Sequence, residues 1–178
     1  MGFCIFGNAA VGAMRALDHH GLDRVAVLDF DVHHGNGTQD LLWDEKRAFF
    51  ASTHQMPLYP GTGSASETGA HGQVANVPLR PGTDGAAGQA AWRGILARAR
   101  DFRPQLVIVS AGFDAHAADP LAQLEWDDGD FAAVTRMICE VAADLSAPVV
   151  SCLEGGYDLS ALGRSVRAHV QVLLEAGT

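Results

Sequence analysis

The chain has 178 residues, 48% of them apolar, and its 21 acidic and 12 basic residues give a formal charge of −9. This length and apolar content suffice for one hydrophobic core, so we expect residues 1–178 to form a single domain. The acidity and the scattered Lys and Arg residues argue against direct binding to nucleic acid. No apolar run approaches the ~20 residues of a membrane span and no secretion signal is visible, so we expect no membrane partner.

The cysteines indicate a reducing compartment. Cys4, Cys139 and Cys152 are odd in number and widely spaced in apolar contexts. This usage favours buried free thiols over a disulfide framework. We therefore expect a cytoplasmic protein.

Short apolar runs alternate with helical stretches along the chain. A first helix is predicted over 8–20, followed by Gly21 as a terminator. Asp158 is placed to cap the last helix. The predicted strands are 25–30, 48–52, 73–79, 106–112 and 148–156, and the later helices are 86–101, 130–145 and 158–175. Apolar strands that alternate with helices predict an α/β fold with a mostly parallel sheet and right-handed crossovers.

Polar side chains follow four of the predicted strands. Ligands of such sheets bind beyond the carboxyl ends of the strands, so these side chains should share one rim. They are Asp29, Asp31 and His33 after the first strand, Ser52 to His54 after the second, Asp114 and His116 after the fourth, and Glu154 to Tyr157 after the fifth.

The segment LDFDVHHGNGTQ at 28–39 carries the strongest chemical signal. Asp29, Asp31 and His33 alternate, so their side chains project to one side of an extended segment. Carboxylate and imidazole ligands together suit zinc, and a catalytic zinc takes three protein ligands. Asp114, which ends an apolar strand in SAGFDAH, is a candidate for the third ligand.

Two other interpretations of this segment remain open at this point. It is consistent with a polar turn between a strand and a loop, with Asn36 and Gly37 as the turn residues. It is less consistent with a phosphate-binding loop, because GNG lacks the flanking residues of a P-loop or of a dinucleotide site.

Six motifs then occur in order over nearly the whole chain: GFCIFGNAA, DFDVHHGNGTQ, FFASTHQMPLYPGTG, NVPL, SAGFDAHAADPLAQ and LEGGYDL. Together they resemble consecutive motifs of the histone deacetylase and acetylpolyamine amidohydrolase family, particularly its bacterial members. The resemblance implies an arginase-like, three-layer α/β fold. It also implies zinc-dependent removal of acetyl or other acyl groups from a lysine peptide or an acetylpolyamine.

The resemblance assigns roles to individual residues. Asp31, His33 and Asp114 would be the zinc ligands, and Tyr157 would hydrogen-bond the substrate carbonyl and stabilise the developing oxyanion. Asp29 would support the ligands and join a monovalent-cation site, suited to K⁺. The cation site would also use Asp31, the His33 carbonyl, Ser52 and Thr53, and the acyl-lysine channel would use the Gly2 carbonyl, Phe3 and Tyr59.

The family's general base and acid are an adjacent histidine pair in a P-G-H-H motif that precedes GFC, where this chain begins. We therefore expect a partial deacetylase-like domain, truncated to about five strands, that is weakly active or inactive alone. His19–His20 should lie opposite the site, and His34 should face away from His33. A truncated or mis-started protein is the preferred explanation.

Three further expectations follow. A non-catalytic fragment that binds zinc and acylated amines, or assembles with another chain, is the alternative function. The strand at 148–152 should be an unpaired edge, which favours homo-oligomers. An arginase-type dinuclear site is disfavoured because Gly35 replaces a bridging carboxylate, although Asp114 and His116 leave it open.

Overall fold

The structure is a computed structural model that describes residues 4–177. Five strands and five helices alternate along the chain. They are α1 (Asn8–His19), β1 (Val25–Asp29), α2 (Asn36–Leu41), β2 (Ala48–Gln55), β3 (Val74–Leu79), α3 (Gly85–Phe102), β4 (Leu106–Ala111), α4 (Asp128–Asp144), β5 (Val149–Leu153) and α5 (Leu159–Ala176).

The strands form one parallel sheet in the order β3-β2-β1-β4-β5. This confirms the predicted α/β class and the edge position of the last strand. From β1 the chain moves outward to β2 and β3, and it then returns to the other side of β1 as β4. The chain thus leaves β1 toward one edge of the sheet and leaves β4 toward the other edge. In a parallel sheet, such a change of direction opens a crevice at the carboxyl ends of the two strands. Asp31 comes shortly after the last residue of β1, and Asp114 comes shortly after the last residue of β4, so both lie at this crevice.

Helices cover both faces of the sheet. A smaller core lies between the sheet and α1, and it includes Val25, Val27 and Phe50. A larger core lies between the sheet and helices α3, α4 and α5. The larger core receives the alternate residues of the first strand and its extension, namely Ala26, Leu28, Phe30 and Val32. Asp29, Asp31 and His33 therefore project to the opposite side, as the alternation predicts.

The three long helices α3, α4 and α5 begin where aspartates accept backbone hydrogen bonds. The Asp84 side chain caps α3 by accepting from Ala87 N, and Asp158 caps α5 by accepting from Ala161 N, as predicted. In α4, Asp127 and Asp130 form a reciprocal capping box. Each cap satisfies an otherwise unpaired amide and stabilises its helix by about 1 kcal/mol.

The structure differs from the sequence-based interpretations in three places. The turn at Asn36 and Gly37, one of the alternatives above, is instead the start of a short helix over Asn36–Leu41, and a helix of six residues is too short to show apolar periodicity. β2 extends to Gln55, because the polar side chains of His54 and Gln55 are buried and hydrogen-bonded within the sheet. Of the three cysteines, all of them free, only Cys139 is buried.

β5 is exposed at the edge of the sheet. Among residues 4–177 it pairs only with β4, and the side chains of Val150 and Leu153 are 49% and 62% exposed. In the same part of the chain, no helix combines the length and apolar character needed to cross a membrane.

The contact between α3 and Trp126 can be tested with two glycines of that helix. A Cβ at Gly88 would overlap the buried indole of Trp126, whereas a Cβ at Gly94 would meet no atom within 4 Å. Gly88→Ala should lower the free energy of unfolding by roughly 1–3 kcal/mol through overpacking. Gly94→Ala should raise it by roughly 0.5–1 kcal/mol, because alanine favours the helix. Urea titrations measure both changes, and equal shifts would contradict this packing.

Candidate metal centre

Side chains from β1 and β4 converge at the crevice between their carboxyl ends. His33 Nδ1 lies 3.2 Å from Asp31 Oδ1 and 3.0 Å from Asp114 Oδ2. One ligand-type atom from each of these three residues lies within 4.8 Å of the other two. Asp31 and Asp114 are buried, and His33 is partly exposed. Two carboxylates and one imidazole thus meet where parallel sheets bind their ligands.

Backbone amides orient the carboxylates. Asp31 N donates to Asp29 Oδ1 at 3.0 Å, and Gly155 N donates to Asp31 Oδ2 at 2.8 Å. Val32 N donates to Asp114 Oδ1, also at 2.8 Å. Each acid therefore has a fixed rotamer before any ligand arrives, which is the preorganisation that a metal site requires.

Two glycines leave room for the carboxylates. A Cβ at Gly112 would overlap the Asp31 carboxylate, and a Cβ at Gly155 would overlap Asp114 Oδ2. Any other residue at either position would displace the acids. The cluster is therefore enclosed by backbone that approaches unusually closely.

Burial and mutual repulsion perturb the charges of these groups. Burial lowers the pKa of His33, but hydrogen bonds to Asp114 and Asp31 outweigh it and raise that pKa to about 10. Burial, and then the charge of Asp31, raise the pKa of Asp114 to about 7. Burial and Asp31 also raise the pKa of Asp29 well above its ordinary value. Negative charge is thus concentrated in a site with little water to disperse it.

This donor set fits a divalent cation. Carboxylate oxygens and an imidazole nitrogen are ligands that zinc accepts, and three protein ligands leave a coordination position open. Within the described residues, no second group of three such side chains comes this close together. Asp114 faces His33, whereas the His116 Nε2 lies 3.4 Å from Asp128, so the pair considered for a dinuclear site is directed apart.

Tyr157 lies beside the cluster. Its ring centroid is 6.5 Å from that of His33, and the two rings are nearly perpendicular. Burial, followed by the charges of Asp114 and Asp31, raises the pKa of Tyr157 to about 12. The phenol therefore keeps its proton at neutral pH and is able to donate a hydrogen bond.

The residues assigned to a monovalent-cation site lie on two faces of the sheet. Asp29 pairs in register with Ser52 across β1 and β2. The Ser52 hydroxyl lies 3.0 Å from His54 Nδ1. The Thr53 side chain lies on the opposite face, where its Oγ1 accepts from Trp92 Nε1 at 3.2 Å. Only the backbone of Thr53 is therefore available to a cation near Asp29.

The channel assignments are only partly described. Gly2 and Phe3 lie outside the described residues. Tyr59 follows β2 and is 56% exposed, which suits a rim position rather than a core position.

The other histidines have separate environments. His34 turns away from His33, and its ring nitrogens lie 2.8 Å from Thr62 Oγ1 and 3.0 Å from Gln39 Oε1. The pair His19–His20 ends α1 on the amino side of β1, opposite the cluster. His54 is buried within β2, and burial with the charge of His34 lowers its pKa to about 4.

Sequence patterns do not identify three residues that support the site. Gly112 and Gly155 give the carboxylates their space, and a close backbone approach is visible in sequence only as a glycine after a strand. Asp119 accepts a hydrogen bond from Tyr157 N at 2.7 Å. Asp119 is 38 residues before Tyr157 in the sequence and lies in a loop with no helical or strand pattern, so no local sequence signal predicts this contact.

His33 should make the stability of the metal-free protein depend on pH. Its pKa is about 10 in the folded state against an ordinary 6.5, so its stabilisation is complete below pH 6.5 and is lost as the pH rises through 10. The loss is at most about 1.4 kcal/mol per pH unit, and solvent at the partly exposed ring reduces it. Urea titrations in chelator between pH 7 and 9 measure this fall.

His33→Asn should remove most of that fall, whereas His20→Asn, at the exposed end of α1, should retain it. The same pH dependence in wild type and His33→Asn would contradict the charge arrangement.

Comparison with known proteins places the chain in a family. A model described as the histone deacetylase domain matches residues 1–173. A rice protein (Oryza sativa subsp. japonica) named histone deacetylase 10, chloroplastic, is 47% identical over 93% of this chain and 39% of its own length. The histone deacetylase-like amidohydrolase of Pseudomonas aeruginosa is 43% identical over 88% of this chain and 43% of its own length.

Solved structures agree in fold. The crystal structure of the HDA15 HD domain has a TM-score of 0.92 and 37% identity, and that of an acetylpolyamine aminohydrolase from Burkholderia pseudomallei has 0.89 and 31%. The two matches cover 98% and 97% of this chain but only 50% of each solved structure. This chain therefore spans about half the length of these relatives. They confirm the expected three-layer deacetylase fold. The chain belongs to the histone deacetylase domain family, a family of hydrolases that includes acetylpolyamine amidohydrolases.

Proposed function

We propose that this chain contributes the metal-binding half of a zinc-dependent amidohydrolase that removes acetyl or other acyl groups from lysine or polyamine amines. The cluster of Asp31, His33 and Asp114, with its ligand atoms within 4.8 Å of one another, is the observation that carries the proposal. The names of the relatives, which include histone deacetylases and an acetylpolyamine aminohydrolase, support the substrate class.

The three clustered residues would hold the ion. A zinc ion bound there supplies Lewis acidity toward a carbonyl oxygen and lowers the pKa of water. In the metal-free protein Asp31 Oδ1 and Asp114 Oδ2 contact His33 Nδ1, and a bound ion would replace these contacts. The amides of Gly155 and Val32 bind the other oxygen of each acid, so Asp31 Oδ1 and Asp114 Oδ2 remain directed at the centre.

Tyr157 would act on the acyl carbonyl. A phenol with its ordinary pKa of 10 is protonated at neutral pH, and burial with the nearby acids raises the pKa of Tyr157 further, to about 12. Tyr157 would therefore donate to the oxygen on which negative charge develops. Removing one such donor typically costs roughly 10²–10³-fold in rate.

The negative charge of the chain favours a substrate that carries a cationic amine, and it also favours a bound monovalent cation. The buried acids near the cluster, together with the formal charge of −9, attract a polyamine or a lysine-rich peptide. We also assign a K⁺ site to Asp29, with oxygens from Asp31, His33, Ser52 and the Thr53 backbone. The Asp29 side chain is buried, and Asp29 lies directly opposite Ser52 in the pairing of β1 with β2, which supports this role.

Turnover by the chain alone should be low. Among residues 4–177 no adjacent histidine pair reaches the cluster, since His34 contacts Gln39 and Thr62 and His19–His20 ends α1 on the other side. A positioned general acid or base contributes typically ~10²–10⁴-fold. This observation favours a second candidate function, a module that binds zinc and acylated amines without rapid cleavage.

The expected location remains cytoplasmic. All three cysteines are free, as a reducing compartment requires. The chloroplast named for the rice relative is the alternative.

The proposal predicts one zinc ion per chain and zinc-dependent binding of a small hydroxamate. Elemental analysis and calorimetry should give 1:1 stoichiometry for both ligands. Asp114→Asn should lose both, because the third ligand becomes neutral and its backbone contacts change. Asp144→Asn, which removes an exposed carboxylate that binds Arg100 at the end of α4, should retain both.

Hydrolysis of an acetyl-lysine peptide is measured in parallel, and we expect slow or undetectable release of the amine. No zinc in carefully purified, zinc-incubated protein would refute the proposal. Rapid hydrolysis that a chelator abolishes would confirm the enzyme and refute the low turnover. Hydroxamate binding without hydrolysis supports the binding module.

We also propose that β5 mediates self-association, because its unpaired backbone lies beside exposed Val150 and Leu153. Light scattering should show a mass that rises with protein concentration. Val150→Lys should reduce this association, whereas Leu41→Lys, at a residue 59% exposed on α2, should not. A monomer at every concentration would contradict this proposal.

A further inference from the structure

The carboxylate of Asp119 links the loop after β4 to the segment that carries Tyr157. Asp119 is 7% exposed, and its Oδ2 accepts from Tyr157 N at 2.7 Å. Its Oδ1 accepts from Leu121 N at 2.9 Å. Both oxygens of a nearly buried acid thus bind backbone amides of two different segments.

The loop that presents Asp119 is itself fixed. Asp119 N donates to His116 O, and Ala117 N donates to Trp126 O, each at 2.8 Å. His116 Nδ1 accepts from Ala118 N at 2.9 Å, which ties the same turn to its own side chain. The carboxylate therefore projects from a rigid support.

The segment before Tyr157 needs such an anchor. Gly155 is bound on both sides, because its N donates to Asp31 and its O accepts from Phe113 N. Gly156 follows with a φ of +136°, a conformation that residues with a side chain rarely adopt, and glycine is also the residue with the most backbone freedom. Beyond this residue the bond to Asp119 fixes the Tyr157 peptide, and Asp158 then caps α5.

We propose that Asp119 is a positioning residue that sets the orientation of Tyr157 toward the metal cluster. It does so through the Tyr157 peptide, while the amide of Leu121 holds the other carboxylate oxygen in place. An effect of Asp119 on catalysis rests on the proposed function, whereas its effect on the orientation of the Tyr157 ring is independent of that function. A carboxylate is required because it offers two acceptors, whereas an asparagine offers one.

The orientation of Tyr157 can be observed directly. The chain has two tyrosines, so protein labelled with 3-fluorotyrosine gives two ¹⁹F resonances, and Tyr59→Phe assigns the Tyr157 signal. In wild type we expect a shifted Tyr157 resonance from a ring in one environment. Asp119→Asn should move it toward the position of free fluorotyrosine or broaden it, with the Tyr59 signal unchanged. Asp144→Asn, an acid-to-amide change at the last residue of α4, where the carboxylate binds Arg100, should leave both signals in place.

A binding cycle tests whether Asp119 acts through Tyr157. Hydroxamate affinity of the zinc-loaded chain should fall roughly three- to tenfold in Asp119→Asn, the effect of losing about one hydrogen bond. Tyr157→Phe should cause a similar loss, and the double variant should be no weaker than Tyr157→Phe alone. Additive losses would overturn the proposed coupling and leave Asp119 with a structural role.

Two controls keep the outcome decisive. If Asp119→Asn does not fold, Asp119→Glu keeps the charge but displaces both oxygens by one methylene, and it should still shift the Tyr157 resonance. An unchanged resonance in a folded variant would overturn the proposal. The ¹⁹F measurement needs neither metal nor turnover, so failure of hydroxamate binding in every protein counts against the proposed function and not against this role.

Discussion

The structure depends on two buried carboxylates that face one imidazole. Asp31 and Asp114 lie on either side of His33 Nδ1, and burial with mutual repulsion raises the pKa of Asp114 to about 7. Placing like charges in a dry site costs folding free energy unless a cation compensates them. A metal-free chain obtains part of that compensation from a protonated His33, and a bound divalent ion would supply the rest.

The fold serves this constraint through backbone placement. β1 and β4 are neighbours in the sheet, and the chain leaves them toward opposite edges, so two distant sequence segments meet at one crevice. Glycines at 112 and 155 admit the carboxylates, and backbone amides orient them. The loop that begins beyond Asp114 also carries Asp119, so one segment contributes both a ligand-type side chain and the anchor of Tyr157. The positions of the metal-ligand cluster and of the Tyr157 phenol are thus linked through this one loop.

Sequence reasoning succeeds where a residue's role is local. The alternation of Asp29, Asp31 and His33 predicts their common direction, and apolar runs predict each strand within a few residues. It fails where partners are distant or the element is short, as for the helix at Asn36–Leu41 and the bond between Asp119 and Tyr157. The sequence does not predict the polar end of β2, because burial of the His54 and Gln55 side chains depends on tertiary hydrogen bonds.

X-ray absorption at the zinc edge of the purified chain is the most direct test of the central claim. The account predicts one zinc ion with a single imidazole nitrogen and carboxylate oxygens at about 2.0–2.2 Å, and no sulfur ligand. Conversion of Asp114 to asparagine should remove this spectrum. A sulfur shell at about 2.3 Å, indicating a cysteine ligand, or an absence of zinc at saturating concentration would contradict the assignment of Asp31, His33 and Asp114 as a metal centre.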